Sequence, residues 1–204
     1  MRRLIRTAPG FVLCLASLLL SLSLNAAEIF SIEVDSKEGI FTMTSDVWFD
    51  ASIEATFEVY RYWDYSIQFS SAIIESRDME SDDQGRPQFY IRNKGCVLFY
   101  CQSFERQGYI ELETNVLIRA FANPETSDFH ISNESWLFVA QDGGTMVTYD
   151  LTMKPKFWIP PGIGPYMIKR KLRKNGVNAV DRIEAIAQGF VQGIGQGSAQ
   201  GLQQ

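Results

Sequence analysis

Hydrophobic and polar residues alternate along much of the chain, which predicts β-strands. Over residues 110–120 the even positions are mostly apolar and most odd positions are polar, as in a half-buried strand. The stretches 41–49 and 147–153 repeat this pattern. Further strands are predicted at 29–34, 71–80, 87–93, 97–105 and 129–140. Turn-forming residues such as Gln107-Gly108 and Asn123-Pro124 separate them, so the pattern predicts an antiparallel meander.

Three segments have a helical pattern instead. Ser52 can cap a short helix, and a second short helical turn is predicted from residue 63. A long helix is predicted to begin near Pro161 or Pro165, both of which a first turn tolerates. Its apolar stripe, about 80° wide, carries Ile168, Leu172, Ala179, Ile183, Ile186 and Phe190. A strand, two short helices, several strands and a long helix together indicate an α+β domain.

Several short motifs stand in a characteristic order: Asp64-Tyr65, Ser76, Asp128-Phe129, Trp136, Gly143-Gly144-Thr145, Tyr149 and Pro160-Pro161. Their order and spacing resemble the START-like (SRPBCC) superfamily of polyketide cyclase and coenzyme Q-binding proteins. The resemblance covers roughly residues 40–187. It implies a helix-grip fold, with a curved antiparallel sheet of about six or seven strands around the C-terminal helix and an apolar cavity between them. Glu134 replaces a glycine found in many relatives, so we expect a narrower or more polar cavity.

The first 26 residues have the layout of a secretory signal peptide. Arg2, Arg3 and Arg6 precede an apolar run at 11–24, and small residues follow at Ala26-Ala27. We therefore predict cleavage near this point and a secreted or periplasmic protein. An uncleaved membrane anchor is the alternative, but serines dilute a run that is shorter than the ~20 residues of a spanning helix.

The mature chain is predicted to form one domain, residues 27–188, followed by a Gly/Gln-rich tail at 189–204. Glycines four residues apart can allow close helix contact, but each costs an exposed helix about 1 kcal/mol, which favours a frayed or disordered tail. The formal net charge is −5, and it becomes −8 without the three leader arginines. This acidic balance argues against a nucleic-acid partner.

Five basic residues lie beside the apolar stripe of the long helix: Lys169, Arg170, Lys171, Arg173 and Lys174. They form either a solvated face or a docking surface for anionic lipid headgroups or an acidic partner.

Cys96 and Cys101 are the two cysteines after the leader. A straight strand would place their Cα atoms about 16 Å apart, so a disulfide requires a turn or bulge between them. Two buried free thiols are the alternative.

Residues suited to catalysis are few. His130 is the single histidine, so neither a Cys/His zinc cluster nor a histidine pair can form. His130, Glu134 and Trp136 occupy even positions of one predicted strand. If that face points into the cavity, an acid and a base would lie in an apolar chamber. If the apolar odd face points inward instead, His130 and Glu134 are exposed.

The sequence therefore favours a non-enzymatic binder or carrier of a hydrophobic molecule, such as a lipid or isoprenoid quinone, without a cofactor. Its predicted ligand-binding residues are Tyr60, Trp63, Tyr100, His130, Glu134, Trp136, Tyr149 and Trp158. The segment 157–167 is expected at the cavity mouth. One alternative is an enzyme that acts on a polyketide-like or lipid substrate through His130 and Glu134. Another is an envelope interaction module that uses the basic helix and the tail.

Overall fold

A computed structural model describes residues 27–97 and 100–200 of the protein, with side chains described for 27–96 and 101–190. The predicted leader lies outside these residues. Eight strands are described: β1 (Glu28–Lys37), β2 (Ile40–Phe49), β3 (Ile73–Met79), β4 (Gln88–Val97), β5 (Tyr100–Glu113), β6 (Leu117–Ala122), β7 (Phe129–Gln141) and β8 (Gly144–Pro155). They form one antiparallel sheet in the order β1-β2-β8-β7-β6-β5-β4-β3. The sheet confirms the predicted helix-grip architecture, with one or two strands more than expected.

The helices close one face of this sheet. They are α1 (Ile53–Arg61), a 3-10 turn (Trp63–Tyr65), α2 (Ser66–Phe69) and α3 (Ile163–Gln200). Ser52 caps α1 as predicted, because its side chain accepts a hydrogen bond from the Ala55 amide at 3.3 Å. Helix α3 contacts β1, β2, α1 and α2. It continues to Gln200, so the backbone is helical through most of the Gly/Gln-rich tail that we expected to be frayed or disordered.

The stretch predicted as one strand, 110–120, is in fact a hairpin. Strand β5 runs through Gln107-Gly108, where we expected a turn, and the chain reverses after Glu113. Asn115 supplies a positive φ of 59° in that reversal. Across the hairpin Ile110 pairs with Ala120, so paired residues are both even-numbered or both odd-numbered. The alternation of apolar and polar residues therefore continues through the turn without a break.

Cys96 and Cys101 form a disulfide. The two residues stand directly opposite each other in the hairpin of β4 and β5. The chain reversal that we required for a bridge is therefore present. The bond fixes the end of this hairpin, which borders the cavity described below.

Candidate ligand-binding cavity

Two adjoining chambers lie between the sheet and α3. The large chamber has a volume of about 500 Å³ and is bordered by β4, β5, the segment 157–160 and the first half of α3. The small chamber, about 210 Å³, lies beneath α1, the 3-10 turn and α2. Both are lined by Arg106, Glu134, Tyr149, Leu151, Leu172 and Asn175. The large chamber is within the size range of small-molecule sites, roughly 300–1,000 Å³.

Aromatic rings form much of the wall of the large chamber. Phe104 lies 5.6 Å from Phe129 and 5.5 Å from Phe157, measured between ring centroids. Trp158 borders the same chamber with 71% of its surface exposed. The chamber therefore has apolar walls and a large aromatic side chain at its mouth.

A second group of aromatic rings surrounds the small chamber. Trp136 stacks on Tyr149 with centroids 5.3 Å apart, and Tyr60 lies 5.9 Å from Trp136. Trp63 is 3% exposed and stacks on Phe89 at 4.0 Å. Among the described residues, the Trp63 indole N–H has no hydrogen-bond partner. Aromatic rings arranged around a chamber in this way can contact a planar or aliphatic group from several sides.

One ion pair stands between the two chambers. Arg106 on β5 donates from Nη1 to Glu134 Oε1 on β7, and the same nitrogen is 3.2 Å from Ser132 Oγ. The two charged side chains are only 13% and 8% exposed. Each buried charge would be expensive alone, so the pair neutralises both while leaving polar atoms at the chamber wall. Arg106 was not among the predicted site residues, because we expected a turn at Gln107-Gly108.

The tyrosines beside this pair are held neutral. Burial, reinforced by the negative charge of Glu134, raises the pKa of Tyr149 well above its ordinary value. Burial alone raises the pKa of Tyr60. For Arg106, burial lowers the pKa, but the attraction of Glu134 outweighs it and the net pKa is raised. Both tyrosines line the small chamber.

The structure brings together most of the predicted site residues. Tyr60, Trp63 and Trp136 line the small chamber, Glu134 and Tyr149 line both, and Trp158 lines the large one. The side chain of Tyr100 lies outside the described residues.

His130 is placed differently from the prediction. A bulge separates Phe129, which pairs with Pro155, from Ile131, which pairs with Lys154, so His130 is an extra residue on its strand. Phe129 and Glu134 are buried as a result, whereas His130 is exposed and borders neither chamber. The expectation that His130 shares an inward face with Glu134 is wrong, because the bulge shifts the alternation by one residue.

Within the described residues, no cluster of three or more His, Cys, Asp or Glu side chains is arranged to hold a metal ion. No helix in the same part of the chain combines the length and hydropathy needed to cross a bilayer.

Solved structures share this fold at low sequence identity. A START superfamily protein from Mycobacterium smegmatis has a TM-score of 0.56 and 16% identity, covering 73% of this chain and 98% of its own. The Zhui aromatase/cyclase from Streptomyces sp. R1128 has a TM-score of 0.57 and 13% identity, covering 74% and 96%. A STAR-related lipid transfer protein from Xanthomonas axonopodis has a TM-score of 0.56 and 14% identity, and the match covers 77% of this chain and 98% of its own. No family model matches the sequence, and no curated protein matches it significantly.

The protein therefore has the START-like helix-grip fold that its motifs resembled. At 13–16% identity the likeness establishes the fold alone. The function depends on the chambers and their surroundings and not on the fold.

Proposed function

We propose that the protein is an exported carrier that binds one hydrophobic molecule, such as a lipid or an isoprenoid quinone, in the two chambers. The observation that carries this proposal is an aromatic-lined space of about 500 Å³ beside a second one of about 210 Å³. Burial of apolar surface contributes roughly 25 cal/mol per Å², so such walls provide most of the affinity for a greasy ligand. The lipid transfer protein with the same fold is consistent with this role.

The polar atoms at the wall favour a ligand with a neutral polar group. Arg106 and Glu134 cancel each other's charge, and Tyr60 and Tyr149 remain neutral. A hydroxyl or carbonyl group can exchange hydrogen bonds with these side chains without adding net charge to the chamber. A phosphate would add an unbalanced charge there, which burial disfavours. The polar cluster thus orients the ligand, while the aromatic walls hold its apolar part.

The mouth of the large chamber is suited to contact with an anionic membrane surface. Residues 151–180 contain seven lysines and arginines and no carboxylate, although the whole chain has a net charge of −5. One exposed arc of α3, about 100° wide, carries Ile163, Tyr166, Arg170, Arg173, Lys174 and Val177. Trp158 is exposed beside the mouth, where an aromatic ring can enter the lipid headgroup layer. This arc would present the chamber to the membrane from which the ligand is taken.

The carrier role can be tested by filling the chambers. Ala179 lines the small chamber and Leu172 lines both. We expect Ala179→Phe and Leu172→Trp to lower the amount of lipid extracted per protein while the folded domain is retained. Ala185→Phe is the matched control, because Ala185 is exposed on the same helix. The carrier proposal fails if both filled variants melt cooperatively and keep the wild-type lipid content.

Membrane contact can be tested separately by co-sedimentation with phosphatidylglycerol and phosphatidylcholine vesicles. Each basic residue near an anionic surface contributes about 1 kcal/mol. Arg170→Glu with Lys174→Glu should therefore reduce partitioning to the anionic vesicles by about 30-fold or more. Arg119→Glu is the control, since Arg119 is exposed on β6. Equal loss in the control, or no preference for anionic vesicles, would contradict the membrane contact.

The enzyme alternative loses its proposed residue pair. His130 is exposed, and Glu134 is paired with Arg106. An aromatase/cyclase shares the fold, so a turnover assay on the molecule that co-purifies is the decisive comparison. Activity that falls by two or more orders of magnitude in Glu134→Gln, with binding retained, would favour the enzyme.

A further inference from the structure

Glu184 is a buried carboxylate on α3 that lines neither chamber. Glu184 is only 8% exposed. Oε1 accepts a hydrogen bond from the Asp50 amide at 3.0 Å, and Oε2 accepts one from the Ala27 nitrogen at 2.8 Å. Within the described part of the chain, no lysine or arginine forms an ion pair with it. A buried carboxylate without a cation is unusual.

The partner at 2.8 Å changes its chemistry if the leader is removed. In the intact chain the Ala27 nitrogen is a neutral amide. Cleavage between Ala26 and Ala27 would make it a free α-amino group, whose ordinary pKa of about 7.7–8.0 leaves it mostly protonated at neutral pH. The missing cation would then lie at a hydrogen-bond distance from Glu184.

We propose that Glu184 receives the new amino terminus of the mature chain, and that the processing site is the Ala26–Ala27 bond. A leader peptidase adds water across this amide bond. Ala26 keeps the carbonyl carbon and becomes a carboxylate, while Ala27 keeps the nitrogen and becomes an ammonium group. This inference rests on the predicted export and is independent of the ligand.

The geometry distinguishes cleavage before Ala27 from cleavage one residue later, before Glu28. A chain that begins at Glu28 has no nitrogen at the position of the Ala27 nitrogen, because one strand residue spans about 3.3 Å. It would also lose Ala27, which packs against the core. Cleavage before Ala27 therefore keeps the contact and gives it a full positive charge, whereas cleavage one residue later removes it.

The charge can be tested with chains of defined amino terminus, released from a cleavable fusion partner. One chain begins at Ala27, and a second carries Ser-Gly before Ala27, which restores the amide. At pH 6.5 and low salt, we expect the Ala27 chain to melt about 4 °C higher than the extended chain. Glu184→Gln should abolish this difference. Asp181→Asn should preserve it, because Asp181 is an exposed carboxylate on the same helix.

Equal melting of the Ala27 chain and its extended form would overturn the proposal, as would a difference that survives Glu184→Gln. If Glu184→Gln fails to fold, the comparison of the two amino termini in the wild-type background decides the matter alone. The intact mass of the exported protein gives a second test. A chain that begins at Ala27 is expected, and one that begins at Glu28 or retains Met1 would contradict the assignment.

Discussion

Removing Arg106 should destabilise the domain strongly, and removing the charge of Glu134 as well should restore much of the loss. Arg106→Met leaves the Glu134 carboxylate, 8% exposed, without its cation. Breaking a buried ion pair from one side costs about 3–5 kcal/mol. Because Glu134 borders two chambers that can admit water, we expect the lower end, about 3 kcal/mol. Glu134→Gln alone should cost less, about 1–2 kcal/mol, since the amide oxygen can still accept from Arg106.

The measurement is a double-mutant cycle, with unfolding free energies from urea titrations of lipid-free protein. The double variant should be less than about 2 kcal/mol below the wild type, which gives a coupling of at least about 2 kcal/mol. Arg119 and Glu111 provide a matched exposed pair, 50% and 48% exposed and 3.9 Å apart. Their cycle should give less than about 1 kcal/mol. Additive losses in the Arg106–Glu134 cycle would refute the argument that burial couples the two charges.

Three further predictions address individual residues. Between pH 10 and 11 the free energy of unfolding in urea should fall by about 1 kcal/mol more in the wild type than in Tyr149→Phe, because Tyr149 releases its proton there only in the unfolded state; an equal fall in both would contradict the raised pKa. Gly108→Ala should cost about 2 kcal/mol or more, because its Cβ would lie 1.9 Å from the Phe121 carbonyl oxygen, whereas Gly189→Ala, with no atom within 4 Å, should not destabilise. His130→Gln should leave the extracted lipid content unchanged, and a marked loss would return His130 to the site.

The helix-grip architecture could be predicted because its elements have strong local signals. Ser52 caps α1, as the sequence indicated. The predicted stripe of α3 lines the large chamber at Ile168 and Leu172 and packs against the core from Ala179 to Phe190. The hairpin at 114–116 could not be recognised from alternation. Its partners Ile110 and Ala120 have the same parity, so a strand and a hairpin produce the same pattern. The weak signal was Asn115, which adopts a positive φ more readily than most residues.

The candidate site was predictable only in part, for a related reason. Both Phe129 and Glu134 are buried, although one is odd and the other even in number. The extra residue at His130 explains why an odd-numbered and an even-numbered residue lie on the same buried face. The periodicity of a strand does not show where such a bulge occurs. Arg106 was not predicted, because its inward direction depends on β5 continuing through Gly108. Gly108 does not form a turn there; its lack of a side chain allows β5 to lie close to the backbone of β6.

The most direct test of the account is native mass spectrometry of the mature wild-type protein, purified without detergent from the cells that make it. A carrier should appear as a one-to-one complex with an apolar molecule bearing a neutral hydroxyl or carbonyl group. Solvent extraction should release that molecule, and incubation with lipid vesicles should restore it. A protein that shows only its own mass, and takes up no lipid from vesicles, would contradict the proposal that these chambers hold a hydrophobic ligand.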